Sequence, residues 1–277
     1  FRVPQLERDA LVAFYLSTKG GDKVDTATGV TWVGTNWNTD ATELTNVGSW
    51  QGVTTEIING QKHVTKLELS GKRLSGSVPK EIKDLPELTL IQLSGNTLET
   101  VATEIGDLSK LTYLNLSSNS LESLPTGIGN FTSLQELYLQ SQRKDVSSYS
   151  RYTSSLTSLP EEIGDIASLE KLDLSNNGLT SLPAGIGNFT SLKELKLDYQ
   201  QTRPEGIIIQ TLTSLPNEIG NITSLEKLYL NNNKLASLPS TIENLQSLKE
   251  LHVQANELTG LPITIGNLTN LEKLYLS

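Results

Sequence analysis

The sequence predicts an α/β solenoid: a right-handed horseshoe of stacked coils, with a parallel β-sheet along its concave side and short 3₁₀ or helical turns along its convex side. Three observations lead there. A set of leucines recurs with a 23-residue period over most of the chain. A non-repeating stretch, with one apolar helical face and all three tryptophans, precedes that set. The 277-residue chain is also thin in apolar residues. With glycine counted and tyrosine left out they make up about 41 %, a little below the ~45–50 % usual for globular chains. That composition suits an elongated body better than a thick-cored one.

Residues 1–63 lack the repeat and read as an N-terminal cap. Leu6, Ala10, Leu11, Ala13 and Phe14 fit one face of a helix over Leu6–Ser17. Trp32, Trp37 and Trp50 follow among Gly, Thr and Asn. They are expected to cover the first repeat; a carbohydrate platform is the functional alternative.

Residues 64–277 carry eight full units and a partial ninth, starting at Val64, Leu88, Leu111, Leu134, Leu169, Leu192, Leu225, Leu248 and Leu271. A plain unit runs Leu111, Leu114, Leu116, Asn119, Leu121, Leu124, Pro125, Ile128, Phe131, and Leu169–Phe189 repeats it. Alternation in the L-x-x-L-x-L part puts leucines inward and their neighbours outward, as in a short strand. Stacking pairs these strands into a parallel sheet. Asn96, Asn119, Asn177, Asn233 and Asn256 turn the chain after the strand. Their buried amides should bond backbone groups of adjacent coils that would otherwise go unpaired. The Leu-Pro step opens the convex return, because proline fixes φ and has no N–H to satisfy. The Ile-Gly-Asn-x-Thr-Ser stretch then makes a short helical or 3₁₀ turn. Each unit buries its leucines only against its neighbours, so stability is roughly a sum of nearest-neighbour contributions.

The pattern L-x-x-L-x-L-x-x-N-x-L, met many times in register, resembles the leucine-rich repeat family. The cap and first unit are similar to the N-terminal region of plant-type leucine-rich receptor ectodomains through residues 7–13 (ERDALVA), 50–54 (WQGVT) and 67–79, with LELSG and LSGSVP. The later units resemble the Leu-Pro-x-x-Ile-Gly type of bacterial surface proteins and some intracellular scaffolds. One departure stands out. The plant-type cap has cysteines flanking Trp-x-Gly-Val, where this chain has Ser49 and Thr55 and no cysteine anywhere. That favours a bacterial relative. The resemblance implies a recognition scaffold that binds protein or peptide on its concave face.

Two units are overlong. From Leu134 the leucine expected at the eleventh position arrives only at Leu156, 12 residues late, and from Leu192 only at Leu212, 10 late. The insertions, at about 141–155 and 199–211, enter after the concave strand and displace the ladder Asn. They should emerge about 10 Å apart, given ~4.8 Å between strands. The first is locally basic, with Arg143, Lys144, Tyr149, Arg151 and Tyr152. In the second, Arg203-Pro-Glu-Gly lies between Tyr199 and Ile207–Ile208–Ile209, which reads as a β-hairpin. Three exposed isoleucines are costly, so the other insertion or a ligand should cover them. Insertions confined to one rim are often the binding face of a repeat protein.

The outward concave positions fall in two rows. One holds Glu68, Gln92, Asn115, Tyr138, Asp173, Lys196, Tyr229, His252 and Tyr275. The other holds Lys66, Leu90, Tyr113, Glu136, Lys171, Glu194, Lys227, Glu250 and Lys273, alternating in sign from Glu136 onward, which predicts a lateral ion-pair ladder. Exposed tyrosine is a rigid amphipathic contact at low entropy cost. The candidate ligand-binding residues are therefore Tyr113, Tyr138, Arg143, Tyr149, Arg151, Tyr152, Tyr199, Arg203, Ile208, Tyr229, His252 and Tyr275.

Other function classes find little support. With 22 Lys+Arg against 31 Asp+Glu the chain carries a charge of −9, which argues against a phosphate-binding surface and so against nucleic acid. Zero Cys excludes disulfides, thiolate zinc sites and thiol nucleophiles. No apolar run is long enough for a transmembrane segment. His63 and His252 are far apart in the stack, and His252 has Glu250, Gln254 and tyrosines beside it but no positioned serine, so no Ser-His-Asp set is expected. Glu136, Asp173, Glu194 and Asp198 could mimic a glycosidase pair, but Lys171 and Lys196 among them point to ion pairing. No phosphate loop, dinucleotide fingerprint or metal cluster is present, and no cofactor or catalytic residue is expected. Sequons at Asn115, Asn130, Asn188, Asn221 and Asn267 follow from the repeat consensus and matter only in a eukaryotic secretory host. The chain begins without Met, so a leader is expected to have been removed. Its last strand is a bare edge, so the native protein is expected to continue, or another molecule to cover it. The reading is a non-enzymatic, secreted or cell-surface scaffold for a protein or peptide ligand. A self-associating adhesive protein, joined through the open edge or the isoleucine patch, and a glycan-binding module are the alternatives.

Overall fold

A computed structural model describes residues 2–18, 44–145, 152–203 and 207–276. The N-terminal helix runs Gln5–Thr18, one residue longer at each end than expected. Its buried face is Glu7, Ala10, Leu11, Phe14 and Thr18, the spacing of a single helical stripe. Leu6 lies off that stripe and is 59 % exposed, which corrects its expected place on the buried face. Glu7 is buried instead because it has work there: its carboxylate accepts the Val64 N–H at 2.8 Å and meets His63 Nδ1 at 2.5 Å. This ties the helix to the first unit. At the helix C-terminal end, Ser17 Oγ donates to the Ser77 carbonyl at 2.7 Å. Gly76 (φ +78°) permits that approach, since a Cβ there would lie 2.6 Å from the Ser17 carbonyl oxygen. Trp50 is buried in the core; Trp32 and Trp37 lie outside the described residues.

Strands Val53–Ile58 and Gln61–Glu68 form an antiparallel hairpin around Asn59-Gly60, both with positive φ, as a tight two-residue turn requires. Gln61–Glu68 then opens a parallel run through Leu90–Gln92, Tyr113–Asn115, Glu136–Tyr138, Lys171–Asp173, Glu194–Lys196, Lys227–Tyr229, Glu250–His252 and Lys273–Tyr275. The register is that of the repeat, with Leu114 beside Leu137 and Leu172 beside Leu195. The first eight of these strands are each followed by a residue in the left-handed region. Glycine serves in the first two units (Gly71, Gly95), and Ser118, Ser141, Asn176, Tyr199, Asn232 and Ala255 thereafter, with φ between 53° and 63°.

The ladder residue comes next. Asn119 accepts the Leu98 N–H at 3.0 Å and donates to the carbonyls of Leu93 (3.0 Å) and Leu116 (2.9 Å), so one amide stitches two coils. In the overlong units the ladder is not displaced, contrary to the sequence expectation. Gln142 and Gln200 stand at the ladder position, both fully buried. Gln142 accepts from Leu121 N and donates to the Leu116 and Leu139 carbonyls; Gln200 does the same with Leu179 N, Leu174 and Leu197. The insertions therefore begin one residue after the ladder.

On the convex side, prolines 79, 125, 160, 183, 216, 239 and 262 each precede a five-residue 3₁₀ turn such as Thr126–Asn130 or Ala184–Asn188. The core is a single file of leucines and isoleucines running the length of the stack, most of them fully buried.

Candidate functional site

The register aligns the outward side chains of successive units, so the concave face is a set of rows running across the strands. In the first row the expected ion pairs form in part: Lys171–Glu136 at 3.0 Å, Lys227–Glu250 at 3.8 Å and Lys273–Glu250 at 3.0 Å. Glu194 departs from the ladder and pairs along its own strand with Lys196 at 3.0 Å. Beside it runs a row that the sequence reading passed over: Glu170, Lys193, Glu226, Lys249 and Glu272, alternating in the opposite phase, with Lys193–Glu170 at 2.8 Å and Lys249–Glu226 at 2.7 Å. The two rows form a checkerboard whose charges largely cancel.

The middle row carries the aromatics. Tyr113 and Tyr138 touch, with centroids 5.4 Å apart. Tyr138 donates its hydroxyl to Glu136 Oε2 at 2.7 Å. That bond, with the Lys171 charge, lowers the Glu136 pKa, while burial and the same Glu136 raise that of Tyr138. Further along, Tyr229 stacks on His252 (4.5 Å, 27°) and His252 on Tyr275 (4.2 Å, 20°). The Lys196 ammonium lies 5.6 Å from the Tyr229 ring centre, on the open end of this stack. Tyr113 and Tyr138 thus pack on one another, and Tyr229 and Tyr275 on His252, with Tyr275 still 39 % exposed. Because the rings stack along the strand-to-strand direction, their faces are turned to one another and their edges to solvent. The two aromatic groups do not meet; Asp173 and Lys196 stand between them.

A further row lies toward the insertions: Gln140, Ser175, Asp198, Asn231 and Gln254. Asp198 Oδ1 accepts the Asn231 N–H at 2.7 Å and Asp173 Oδ1 the Ser175 N–H at 2.9 Å. Burial raises the Asp198 pKa, and the Asp173 charge adds to it.

Both insertions are antiparallel hairpins. Arg143–Asp145 pairs with Tyr152–Ser154, and Gln201–Thr202 with Ile209–Gln210. Their roots are closed by Ser155 N to the Gln142 carbonyl (3.0 Å) and Thr211 N to the Gln200 carbonyl (2.9 Å). They are in direct contact, with Ser154 Oγ 2.5 Å from the Gln201 carbonyl oxygen. Gly178, in the unit between them, leaves room for this: a Cβ there would lie 2.9 Å from the Ser154 Cβ. Arg143 begins the first hairpin and its N–H bonds the Asn119 carbonyl at 2.7 Å. Lys144 reaches Glu122 at 2.5 Å. Arg203 ends the described part of the second hairpin's first arm. Tyr199 sits at the left-handed corner beneath that hairpin, 43 % exposed. Ile207, Ile208 and Ile209 remain 65, 56 and 47 % exposed; the contact with the first hairpin is made by the opposite arm. Tyr149 and Arg151 lie outside the described residues, and of Tyr152 only the backbone pairing with Asp145 is described. Among the described residues no group of three or more His, Asp or Glu could share a metal ion, and no helix is long and apolar enough to cross a membrane.

Coil, ladder and concave sheet define the class: the chain is a leucine-rich repeat protein. A family model described as a leucine-rich repeat region matches residues 206–277, and one described as Leucine Rich Repeat matches 110–131 and 168–189. Among similar solved structures is the LRR protein LIC12759 of Leptospira interrogans, 35 % identical over 76 % of this chain and 54 % of that one, with a TM-score of 0.64. The chain thus spans about half the length of that relative. The plant peptide hormone receptor RGFR1, solved in complex with RGF2, is 27 % identical over 83 % of this chain and 41 % of its own, with a TM-score of 0.54. The Arabidopsis receptor kinase HAESA, solved with the peptide hormone IDA and the co-receptor SERK1, shares the fold over 97 % of this chain and 45 % of its own, at 23 % identity and a TM-score of 0.58. Curated proteins give no match. Scaffolds of this class are typically used for protein–protein recognition.

Proposed function

We propose that the protein is a non-enzymatic recognition scaffold, at a cell surface or secreted, that binds a protein or peptide through its concave sheet and the paired hairpins. The observation that carries the reading is the hairpin pair. Two insertions, rooted two units apart, make contact and stand as a wall along one side of the aromatic and acidic rows. They cost the coil nothing in its ladder, since Gln142 and Gln200 preserve it. Tyr138, Tyr229, His252 and Tyr275 line the floor, and Tyr199 and Ile208 supply apolar area at the wall. Peptide-binding receptors share the fold. A glycan platform is less well served, because sugars stack on aromatic faces and here both faces of His252 and one face each of Tyr229 and Tyr275 are taken by neighbouring rings.

The test is capture of peptides from a displayed library by three forms of the chain. These are the wild type, a form lacking residues 143–154 and 201–210, and a Tyr138→Ala/Tyr229→Ala form. The deletions restore the 23-residue period, so folding should survive by circular dichroism. Loss of capture by the altered forms supports the reading; undiminished capture by both overturns it. Fractionation of the source cells tests the location.

A further inference from the structure

Asn-Gly occurs twice in the chain, at Asn59–Gly60 and Asn177–Gly178. The two pairs share a covalent reactivity, since glycine puts no side chain in the way when its backbone nitrogen approaches the preceding amide carbon. The fold places them in opposite surroundings. Asn59 and Gly60 are the two exposed residues of the turn between Val53–Ile58 and Gln61–Glu68, with φ of 52° and 78°. Ile58 and Gln61 close that turn, so the strand pairing uses neither loop nitrogen. Among the described residues the Asn59 amide and the Gly60 N–H make no hydrogen bond. A Cβ built on Gly60 would meet nothing within 4 Å. Asn177, by contrast, is fully buried. Its side-chain oxygen accepts the Gln142 N–H at 2.9 Å, and its nitrogen donates to the Leu139 and Leu174 carbonyls at 3.0 and 2.8 Å. The backbone nitrogen next to it is engaged as well: Gly178 donates its N–H to the Leu156 carbonyl at 3.0 Å.

We propose that Asn59 is a site of spontaneous deamidation and that the ladder shields Asn177 from the same reaction. Base takes the Gly60 N–H proton and the nitrogen attacks Asn59 Cγ. The bond from Cγ to the side-chain nitrogen breaks, ammonia leaves, and a cyclic imide remains. Water then opens the imide at either carbonyl. One opening gives Asp; the other gives isoaspartate, in which the main chain passes through the side-chain carbon. The balance is one water in and one ammonia out, with no oxidant or reductant. Ring closure needs the backbone at residue 59 to swing toward its own side chain. A two-residue turn at the tip of a hairpin opens locally, whereas a coil stitched on both sides opens only together with its neighbours. At Asn177 closure would give up the three amide bonds and the Gly178 bond at once. Either product puts a new carboxylate at the turn. Isoaspartate also lengthens the turn by one backbone carbon, so the Ile58–Gln61 closing pair no longer fits. The second strand of this hairpin carries His63, the partner of Glu7 in the N-terminal helix, so the modification falls beside the joint between cap and stack.

The experiment ages the full chain in mildly alkaline buffer, once folded and once in guanidinium chloride. Both Asn-Gly peptides are followed by mass spectrometry, with chromatography to separate Asp from isoaspartate. In the folded chain residue 59 should convert at least tenfold faster than residue 177. In denaturant, where both pairs are equally exposed, the two rates should agree within threefold. Both isomers should appear at residue 59, because the imide opens on either side. Three results overturn the proposal. Conversion of residue 59 less than tenfold faster than residue 177 in the folded chain would mean that the turn holds Asn59 much as the ladder holds Asn177. A gap wider than threefold in denaturant would mean that local sequence, not the fold, sets the rates. Asp without isoaspartate would mean direct hydrolysis of the amide with no part for Gly60.

Discussion

Gln200 is one methylene longer than the asparagine that holds the same position in the plain units, and its replacement by Asn is the sharpest test of the ladder argument. Its amide donates to the Leu174 carbonyl at 2.7 Å and the Leu197 carbonyl at 3.4 Å, and accepts the Leu179 N–H at 3.2 Å. All these groups are buried. Asn moves the amide back by about one C–C bond, ~1.5 Å. The 2.7 Å bond then stretches past hydrogen-bonding reach unless the coil collapses toward it. A buried polar group left without its partner costs ~1–3 kcal/mol, and the substitution strands the Leu179 N–H and the shortened amide, while the Leu174 carbonyl keeps the Asn177 amide at 2.8 Å. Partial relaxation reduces the sum, so the expected loss for Gln200→Asn is about 2–4 kcal/mol, no smaller than for Gln200→Ala, which buries no orphan amide. Urea unfolding with an unchanged m-value measures the loss, and faster hydrogen exchange of the Leu179 amide locates it. A Gln200→Asn chain as stable as wild type, within about 0.5 kcal/mol, would refute the claim that the longer side chain is set by the hairpin root.

Glu7→Ala removes the acceptor of a buried Val64 N–H and the partner of His63, so the cap should loosen at a cost of about 1–3 kcal/mol, read as earlier proteolysis within the N-terminal helix. Gly178→Val should push the hairpins apart, because even a Cβ there meets Ser154 at 2.9 Å; the expected signs are selective protease cutting within 143–154 and loss of peptide capture with the coil intact. The lowered Glu136 pKa carries a sign. Its stabilisation is full above the ordinary value of 4.5 and is lost as pH falls through the lower folded value, so Tyr138→Phe, which removes the leading cause, should flatten the stability–pH curve below 4.5. Asp198 runs the other way: its ionised form opposes folding at neutral pH, and the penalty fades as pH falls toward 3.8, so Asp198→Asn should not destabilise the chain at pH 7.

How much of this was legible in the sequence depends on whether a feature is periodic. The units, the register, the inward leucines and the ladder asparagines follow from spacing alone, because each coil repeats the same burial. The first row of charges was equally readable, yet its second row was passed over; Glu170, Lys193, Glu226 and Lys249 occupy one repeat position and needed only the same column to be read. Gln142 and Gln200 were missed for a different reason. The repeat pattern specifies Asn, while the ladder requires an amide of the right reach, and the required length depends on where the chain departs into the hairpin. Leu6 and Glu7 show the limit of hydrophobicity as a guide: one hydrogen-bond network put a carboxylate inside and left a leucine out. The adjacency of Tyr229, His252 and Tyr275 was readable from their shared repeat position, but the ring geometry, and the arm by which the two hairpins meet, depend on three-dimensional reach between units.

The hairpins also show how such a scaffold acquires a site without losing its fold. Each coil is stabilised by its neighbours, so an insertion is tolerated where it breaks no bond between coils. Immediately after the ladder is such a place. Gln142 and Gln200 complete the stitching before the chain leaves, and Ser155 and Thr211 close the root as it returns, so Leu156 and Leu212 re-enter the core in phase. The same position faces the left-handed corner at the edge of the concave sheet, so whatever is inserted there stands beside the outward rows. Fold preservation and placement beside the binding face are thus one geometric condition. It follows that a third hairpin grafted after Asn233, with that residue changed to Gln, should be accepted by the coil. Grafted two residues earlier, between the strand and the ladder, the same hairpin should unfold the units on both sides, and thermal melting of the two grafts would tell them apart.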